Sequence, residues 1–278
     1  KGEVRKVSDI IRIIEKVAPL GAAAPWDASG VQDAAMRADA EHVAVMLDPT
    51  LESLERAAAG GANFVLAHHP LSMSPKYPNR QDNYLAMLSL LFRNDIWLYS
   101  AHTSLDANPE GPVRWLAQEL GLSRIVTLEP MENPPAWAGR GAVAPDYGFG
   151  FTGTLDKPTG YADFCRRLSL CIGRAEWQGC GRRPEAVFRV ACCPGSGGSL
   201  LNAAVAAGAD VFITGDVKYH TALEALSCGL RVMDVGHFIL EEEMMRRFAK
   251  QLEQELTIPV SYIPSRDPLA SEHAPPPA

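Results

Sequence analysis

With 278 residues, 47% of them hydrophobic, the chain is long enough for one large domain or two modest ones with a buried core. A net charge of −7 argues against non-specific nucleic-acid binding, which needs a basic surface. Cysteines 165, 171, 180, 192, 193 and 228 form no CxxC pair and no disulfide-framework spacing, and no apolar run approaches a membrane span. Reduced thiols and a cytoplasmic protein that does not enter membranes are expected.

Short apolar runs alternate with amphipathic, helix-length segments, the pattern of an α/β fold. Residues 7–17 read as an amphipathic helix, not a signal peptide. The run 43–47 reads as a strand ending at Asp48, and 51–59 as a helix stopped by Gly60-Gly61. Next come a strand at 63–67, a helix at 82–93, a strand at 96–101 and a helix at 112–120 capped by Gly121. The Pro/Gly-rich stretch 132–145 is the linker candidate. Beyond it, 147–155 reads as a strand and 161–172 as a helix, while 187–193, 200–207 and 210–214 make a βαβ unit. A last strand, 231–235, precedes a helix at 239–255 in which Leu240, Met244, Phe248 and Leu252 form one core face. The tail from Pro264 is expected to be disordered, leaving His273 idle.

The chemistry-bearing residues collect where strands end. His68 and His69 close the run 63–67 just before Pro70. Neighbours on a straight strand diverge, but a pair at its end can serve two targets a few ångströms apart, which suits two metal ions. His102 and Asp106 follow the next strand; Asp216, Lys218 and His220 follow a third; His237 and Glu241 follow a fourth. Open α/β sheets bind ligands beyond the carboxyl ends of their strands, so these four ends, taken as parts of one sheet, are expected to share a crevice. His237 and Glu241, four apart, share one face of a helix. Singly each residue is ordinary, since a His after a strand usually packs and most acidic runs such as Glu241-Glu242-Glu243 are solvated. Their convergence is what points to metal.

His102 and His220 are candidates for orienting a water or acting as a general acid, with His102 placed as a supporting partner of Asp106. Asp216 and Lys218 either contact substrate or tie parts of the chain together. Gly195-Ser196-Gly197-Gly198-Ser199 opens a helix after a strand, so the N–H groups of Gly197 and Gly198 could cradle an anion. It lacks the GK[ST] of a P-loop, and a tight strand-to-helix turn explains it equally well.

Several segments, in fixed order, carry a resemblance. They are His68-His69-Pro70-Leu71, then Ser100-Ala101-His102-Thr103-Ser104-Leu105-Asp106, then the glycine turn followed by Gly208-Ala209-Asp210-Val211-Phe212-Ile213-Thr214-Gly215-Asp216-Val217-Lys218-Tyr219-His220. Asp234-Val235-Gly236-His237-Phe238-Ile239-Leu240-Glu241 completes the set. Together they resemble the Nif-three-like family, whose members carry the name GTP cyclohydrolase I type 2 homolog. Trp26-Asp27-Ala28-Ser29-Gly30-Val31-Gln32 is similar to the family's WDN-x-G element, with Ala28 in place of its Asn. The resemblance covers about residues 7–263. It implies a dinuclear metal centre with ligands His68, His69, Asp106, His237 and Glu241. It also implies a ring-shaped homohexamer and two interlinked α/β domains with mixed sheets flanked by helices. These would be 1–130 plus 232–263, carrying the ligands, and 131–231, followed by the tail 264–278.

With Glu241 bridging, one ion taking His69 and Asp106 and the other His68 and His237, each ion has three protein ligands. Open positions remain for water or substrate, whereas structural zinc is usually closed by four protein ligands. Mixed imidazole and carboxylate ligation suits zinc, iron, manganese, cobalt or nickel. Two ions about 3.5–4 Å apart can share a hydroxide nucleophile. The expectation is therefore a metal-dependent hydrolase of a small polar or nucleotide-like substrate, although nothing in these residues selects guanine. A metal chaperone or metallocofactor-assembly protein, or a binding scaffold stabilised by its metals, uses the same open coordination.

Overall fold

The structure, a computed structural model, describes residues 3–135 and 146–272. The chain opens with β1 (Arg5–Lys6), α1 (Val7–Val17), β2 (Gly30–Asp33), β3 (Asp39–Ala40), β4 (Val43–Met46), α2 (Leu51–Ala59) and β5 (Phe64–Ala67). It continues through α3 (Asn83–Asn94), β6 (Trp97–Ser100), α4 (Thr103–Asp106), α5 (Trp115–Glu119) and β7 (Ser123–Pro130). Then come β8 (Gly148–Gly160), α6 (Tyr161–Ile172), β9 (Gln178–Cys180), β10 (Ala186–Ser196) and α7 (Leu201–Ala206). Last are β11 (Val211–Gly215), α8 (Tyr219–Cys228), β12 (Arg231–Asp234), α9 (Phe238–Glu255) and β13 (Val260–Tyr262).

These strands build two large mixed sheets flanked by helices, the expected α/β class. The five-stranded sheet has the order β13-β4-β5-β6-β2, parallel throughout except for β2 on one edge. The six-stranded sheet has the order β7-β8-β10-β11-β12-β9, with β10, β11 and β12 parallel and the others antiparallel. The strand ends read as parts of one sheet thus belong to two. His68, His69 and His102 follow β5 and β6, while Asp216 and His237 follow β11 and β12. The six-stranded sheet draws its strands from residues 123–234, so the domain boundaries expected at 130/131 and 231/232 cut through it.

One apolar core joins the two sheets. Ile10 and Ile14 of α1, Val45 of β4 and Leu66 of β5 meet Met244, Phe248 and Leu252 of α9, and the cluster continues to Val190, Ile213 and Met233. The alternate residues Ala44, Met46, Val65 and Ala67 pack on the opposite face with Leu54 and Leu91 of α2 and α3. Covering both faces explains why β4 and β5 read as unbroken apolar runs rather than alternating ones. The helix α2 starts at a capping box, with Thr50 Oγ1 accepting from Ser53 N–H and Ser53 Oγ accepting from Thr50 N–H. The six cysteines are unpaired. Among the described residues no helix is long and apolar enough to cross a membrane.

The segment from Pro264 departs from the disorder expected of it as far as residue 272. Ser265 N–H donates to Glu242 Oε1, and Asp267 pairs with Arg174 at 2.6 Å. His273 and residues 136–145 of the linker candidate lie outside the described residues.

Asp33, at the end of β2, is 8% exposed and its Oδ2 has no hydrogen-bond partner. Burial lifts its carboxyl from 3.8 to about 6. A raised acid binds its proton more tightly folded than unfolded, so its contribution falls as pH rises from about 4 to 6. Asp33→Asn is expected to stabilise the protein by about 1–3 kcal/mol at pH 7.5 and by almost nothing near pH 3.5. Thermal melts of variant and parent at both pH values check this; equal differences at the two would refute the burial argument.

Candidate metal centre

The ends of the two sheets bring together six side chains that could hold metal. At the end of β5 the chain turns toward Pro70, so His68 points inward and is fully buried while His69 stays partly open. The single turn of α4, directly after β6, carries Asp106 to 3.6 Å from His68 Nε2. His237, at the N-cap of α9, already has helical angles (φ −68°, ψ −43°). Its Nε2 therefore lies 2.9 Å from Glu241 Oε2, one turn on.

Glu241 stands at the middle. Its Oε1 is 3.5 Å from His68 Nε2, and its Oε2 is 3.1 Å from His69 Nε2. Two triads result, His68–Asp106–Glu241 and His69–His237–Glu241, the ligand atoms of each lying within 4.8 Å of one another. A third, His68–His69–His102, satisfies the same limit. The pairing reverses the arrangement drawn from the sequence. Asp106 goes with the buried His68, and His237 with the more open His69, their Nε2 atoms 3.3 Å apart.

The outer nitrogens show how the rings are aimed. His68 Nδ1 is 2.7 Å from Ala101 O, His69 Nδ1 2.7 Å from Asp48 Oδ1, His237 Nδ1 2.6 Å from Asp216 Oδ2, and His102 Nδ1 2.8 Å from Asp27 Oδ1. Each Nδ1 faces an oxygen that can accept its proton, so Nε2 is the nitrogen each ring, once neutral, would turn to a metal, the arrangement of metal-ligating histidines. His68 Nε2 and Asp106 Oδ1 are buried without a hydrogen-bond partner. Buried polar atoms rarely go unpaired, and a cation would satisfy both. The residues present fit divalent metal.

Two of these supporting residues, Asp27 and Asp48, were not anticipated. Asp27 also accepts from Ala28 N–H, Ser29 Oγ, Thr103 N–H and Thr103 Oγ1, so the Trp26–Gln32 element acts through Asp27. His102, expected beside Asp106, is held by Asp27 instead. Asp216, read as either contacting substrate or tying parts of the chain together, pairs with His237. Lys218 and Gly198 line a separate cleft of about 350 Å³. His220 is exposed on α8 and belongs to none of the three triads. The N–H of Gly197 donates to Thr214 Oγ1 and is unavailable to an anion.

Charge at the centre is shared unevenly. Burial opposes ionisation of Glu241, yet His68, His237 and His69 hold it well below the usual carboxylate range. Burial disfavours the cation of His69, but Asp48 and Glu241 push it up to about 10. The Glu241 hydrogen bond outweighs burial at His237 and, with Asp216, raises it to about 9. Burial raises Asp106, with His68 opposing. The metal-free centre therefore carries protons at neutral pH that a metal must displace. Zinc binding at pH 7 is expected to release about two protons, strengthening with pH by up to roughly 100-fold per unit until the imidazoles deprotonate. Titration calorimetry in buffers of different ionisation enthalpy measures the release; a value near zero would count against these protonation states.

The cluster lies between two cavities. One, of about 740 Å³, is bordered by His69, His237, Asp48, Asp216, Arg174 and residues 267–271. The other, of about 280 Å³, is bordered by His102, Asp106, Glu241, His237, Trp26 and Phe149.

A family model for Duf34/NIF3 (NGG1p interacting factor 3) matches residues 5–268. A GTP cyclohydrolase 1 type 2 homolog of Clostridium perfringens is 28% identical over 263 residues, covering 94% of this chain and 97% of the relative. One from Nostoc is 30% identical over 213 residues, 76% of each chain. The solved structure of a Bacillus cereus protein related to NIF3 superposes with a TM-score of 0.86 at 22% identity, covering 98% of this chain and 100% of that one, a likeness of fold. The chain belongs to the Duf34/NIF3 family.

Proposed function

We propose that the protein is a dinuclear metal-dependent hydrolase of a small molecule. The observation that carries this reading is the placement of Glu241, whose two oxygens face separate triads, each supplying only three protein ligands. Two divalent ions held there would polarise an oxygen and lower the pKa of water, leaving coordination positions open. Zinc, iron, manganese, cobalt and nickel all suit the donor set. His68, Asp106 and Glu241 hold the inner position; His69, His237 and Glu241 hold the outer one. His102 keeps its proton on Nδ1 against Asp27, so its Nε2 is an acceptor beside the smaller cavity. Metal-reconstituted protein should turn over a member of a panel of nucleotides, phosphoesters and cyclic amides. No rate above that of the His68→Ala, Glu241→Ala double variant would reject the hydrolase.

A second reading, metal delivery, draws on the larger cavity. Asp48, Glu176, Asp216, Asp234 and Asp267 border it, and Arg174 is the one arginine or lysine among its described lining residues. Such a field attracts cations. Transfer of iron or zinc to a metal-free acceptor faster than to free chelator supports it; equal rates reject it. The implied hexamer is a further proposal. The exposed stripe of Tyr219, Leu223 and Leu226 on α8 is apolar surface that self-association would cover, and sedimentation gives the answer.

A further inference from the structure

The larger cavity is bordered on one side by the chain's own C-terminal segment. After β13, residues 264–272 form no helix or strand, yet they run along the cavity. Arg56 Nη1 donates to Pro264 O and Ser265 N–H donates to Glu242 Oε1, which fixes where the segment leaves the body of the fold. Beyond Ser265, among the described residues, one polar tie holds it to the rest of the chain. Asp267 Oδ2 accepts from Arg174 Nη2 at 2.6 Å. Residues 268–271 border the cavity while being exposed themselves, Leu269 by 75%.

Arg174 does not depend on Asp267 for its position. It follows α6 directly after Gly173, which is left-handed (φ +65°), and its Nη1 donates to Val235 O at 2.8 Å. A Cβ built on Gly236 would stand 2.8 Å from that nitrogen, so the guanidinium lies against the backbone one residue before His237. The acids nearby are mostly engaged. Asp48 and Asp216 face the Nδ1 atoms of His69 and His237, and Asp234 accepts from Val217 N–H and Gly236 N–H. Glu176 is exposed to water. What remains is a positioned guanidinium beside the outer metal position, holding a carboxylate that belongs to a separable stretch of chain. A guanidinium donates to carboxylate and phosphate oxygens with the same planar fork.

We propose that Arg174 is an anion-binding residue of this cavity, taking a ligand's carboxylate or phosphate where Asp267 now sits, so that the C-terminal segment must yield for the ligand to bind. The proposal rests on the metal-loaded centre of the hydrolase reading and deepens that reading by naming the charged group of its ligand. Asp267 is then a tethered competitor, kept at high local concentration by the few residues that join it to Ser265. Zinc-loaded protein, with its metal content verified before and after, is titrated by calorimetry with inorganic phosphate. Asp267→Asn should bind phosphate about tenfold more tightly than the parent, which corresponds to a segment that occupies Arg174 about nine-tenths of the time. Arg174→Gln should lose that gain, and adding Asp267→Asn to it should restore nothing. On the parent alone, saturating phosphate should speed trypsin cleavage after the exposed Arg266, followed by mass spectrometry, because the protease needs a segment that has come away. No phosphate binding to Asp267→Asn, or an affinity unchanged from the parent, would overturn the proposal. Equal tightening in the Arg174→Gln background would overturn it too, since only a negative charge would then have left the cavity. So would cleavage after Arg266 that phosphate leaves unaltered. Absence of turnover with these binding effects intact would instead reject only the hydrolase.

Discussion

Glu241→Ala is expected to lose both metal positions, where any single histidine variant loses only one. The two triads share this carboxylate and nothing else, so its removal takes one of three protein ligands from each ion. Loss of a supporting partner of a ligand already costs 10–100-fold in affinity, so loss of the shared ligand should exceed about 100-fold at both positions. Elemental analysis after dialysis should read two equivalents in the parent and close to none in the variant. One retained equivalent would show that the carboxylate is not shared. Burial adds a stability cost, because Glu241 is the carboxylate that His68, His69 and His237 share in the metal-free protein. Removing one member of a buried ionic group typically costs about 3–5 kcal/mol. Glu241→Gln, nearly equal in volume, separates loss of charge from loss of packing. Paired variants test which histidine goes with which ion. The His69→Ala, His237→Ala double variant should keep one equivalent, whereas His69→Ala, Asp106→Ala should keep none. The arrangement drawn from sequence alone predicts the opposite.

That difference marks where sequence reading stopped. The candidate ligands were legible as residues that follow apolar runs, with His237 and Glu241 at the spacing of one helical turn, and the set of five was what the family resemblance implied. Their pairing was not, since it depends on how His68 and His69 turn at the end of β5 and on the meeting of two sheets rather than one. Sheet membership is set by long-range pairing, such as Val43 with Val260 or Ser123 with Thr154, which no local pattern records. The α/β class was visible in the alternation of runs. The edge strands β7 and β9 were not, because β7 is half exposed and β9 is only three residues long. Helix α8 buries a single residue, Ala225, and the apolar stripe it carries, Tyr219, Leu223 and Leu226, faces outward instead of marking a core. Asp27 and Asp48 escaped for another reason. Each acts on a histidine far away, 75 and 21 residues along the chain; Asp48 is a lone aspartate after a strand, and Asp27 lay in the Trp26–Gln32 element without a role being read for it.

The glycine turn was read as an anion cradle or simply a tight strand-to-helix turn, and the structure gives it a further use that a single substitution can expose. Gly195 has φ +73°, and a Cβ built on it would run into Glu241 Oε1 and come within 3.4 Å of His237 Nε2. Glu241 is 4% exposed and enclosed, so its carboxylate cannot retreat without leaving both triads. Gly195→Ala is therefore expected to cost about 1–2 kcal/mol for the left-handed backbone and further strain from the clash. It should also weaken both metal positions by more than about tenfold, as for displaced supporting groups. Gly208→Ala is the matched control. That glycine has φ +70° with nothing within 4 Å of a built Cβ, so it should show the backbone cost with unchanged metal content. Gly198→Ala, where Thr221 is at 3.5 Å and φ is ordinary, should be close to neutral. Melting temperature and bound metal measured together on the three variants separate backbone strain from crowding of the ligand. If Gly195→Ala and Gly208→Ala lose the same stability and both keep two equivalents, the turn serves the chain's path alone. If only Gly195→Ala loses metal, the absent side chain at 195 is a condition for the shared carboxylate to reach both ions.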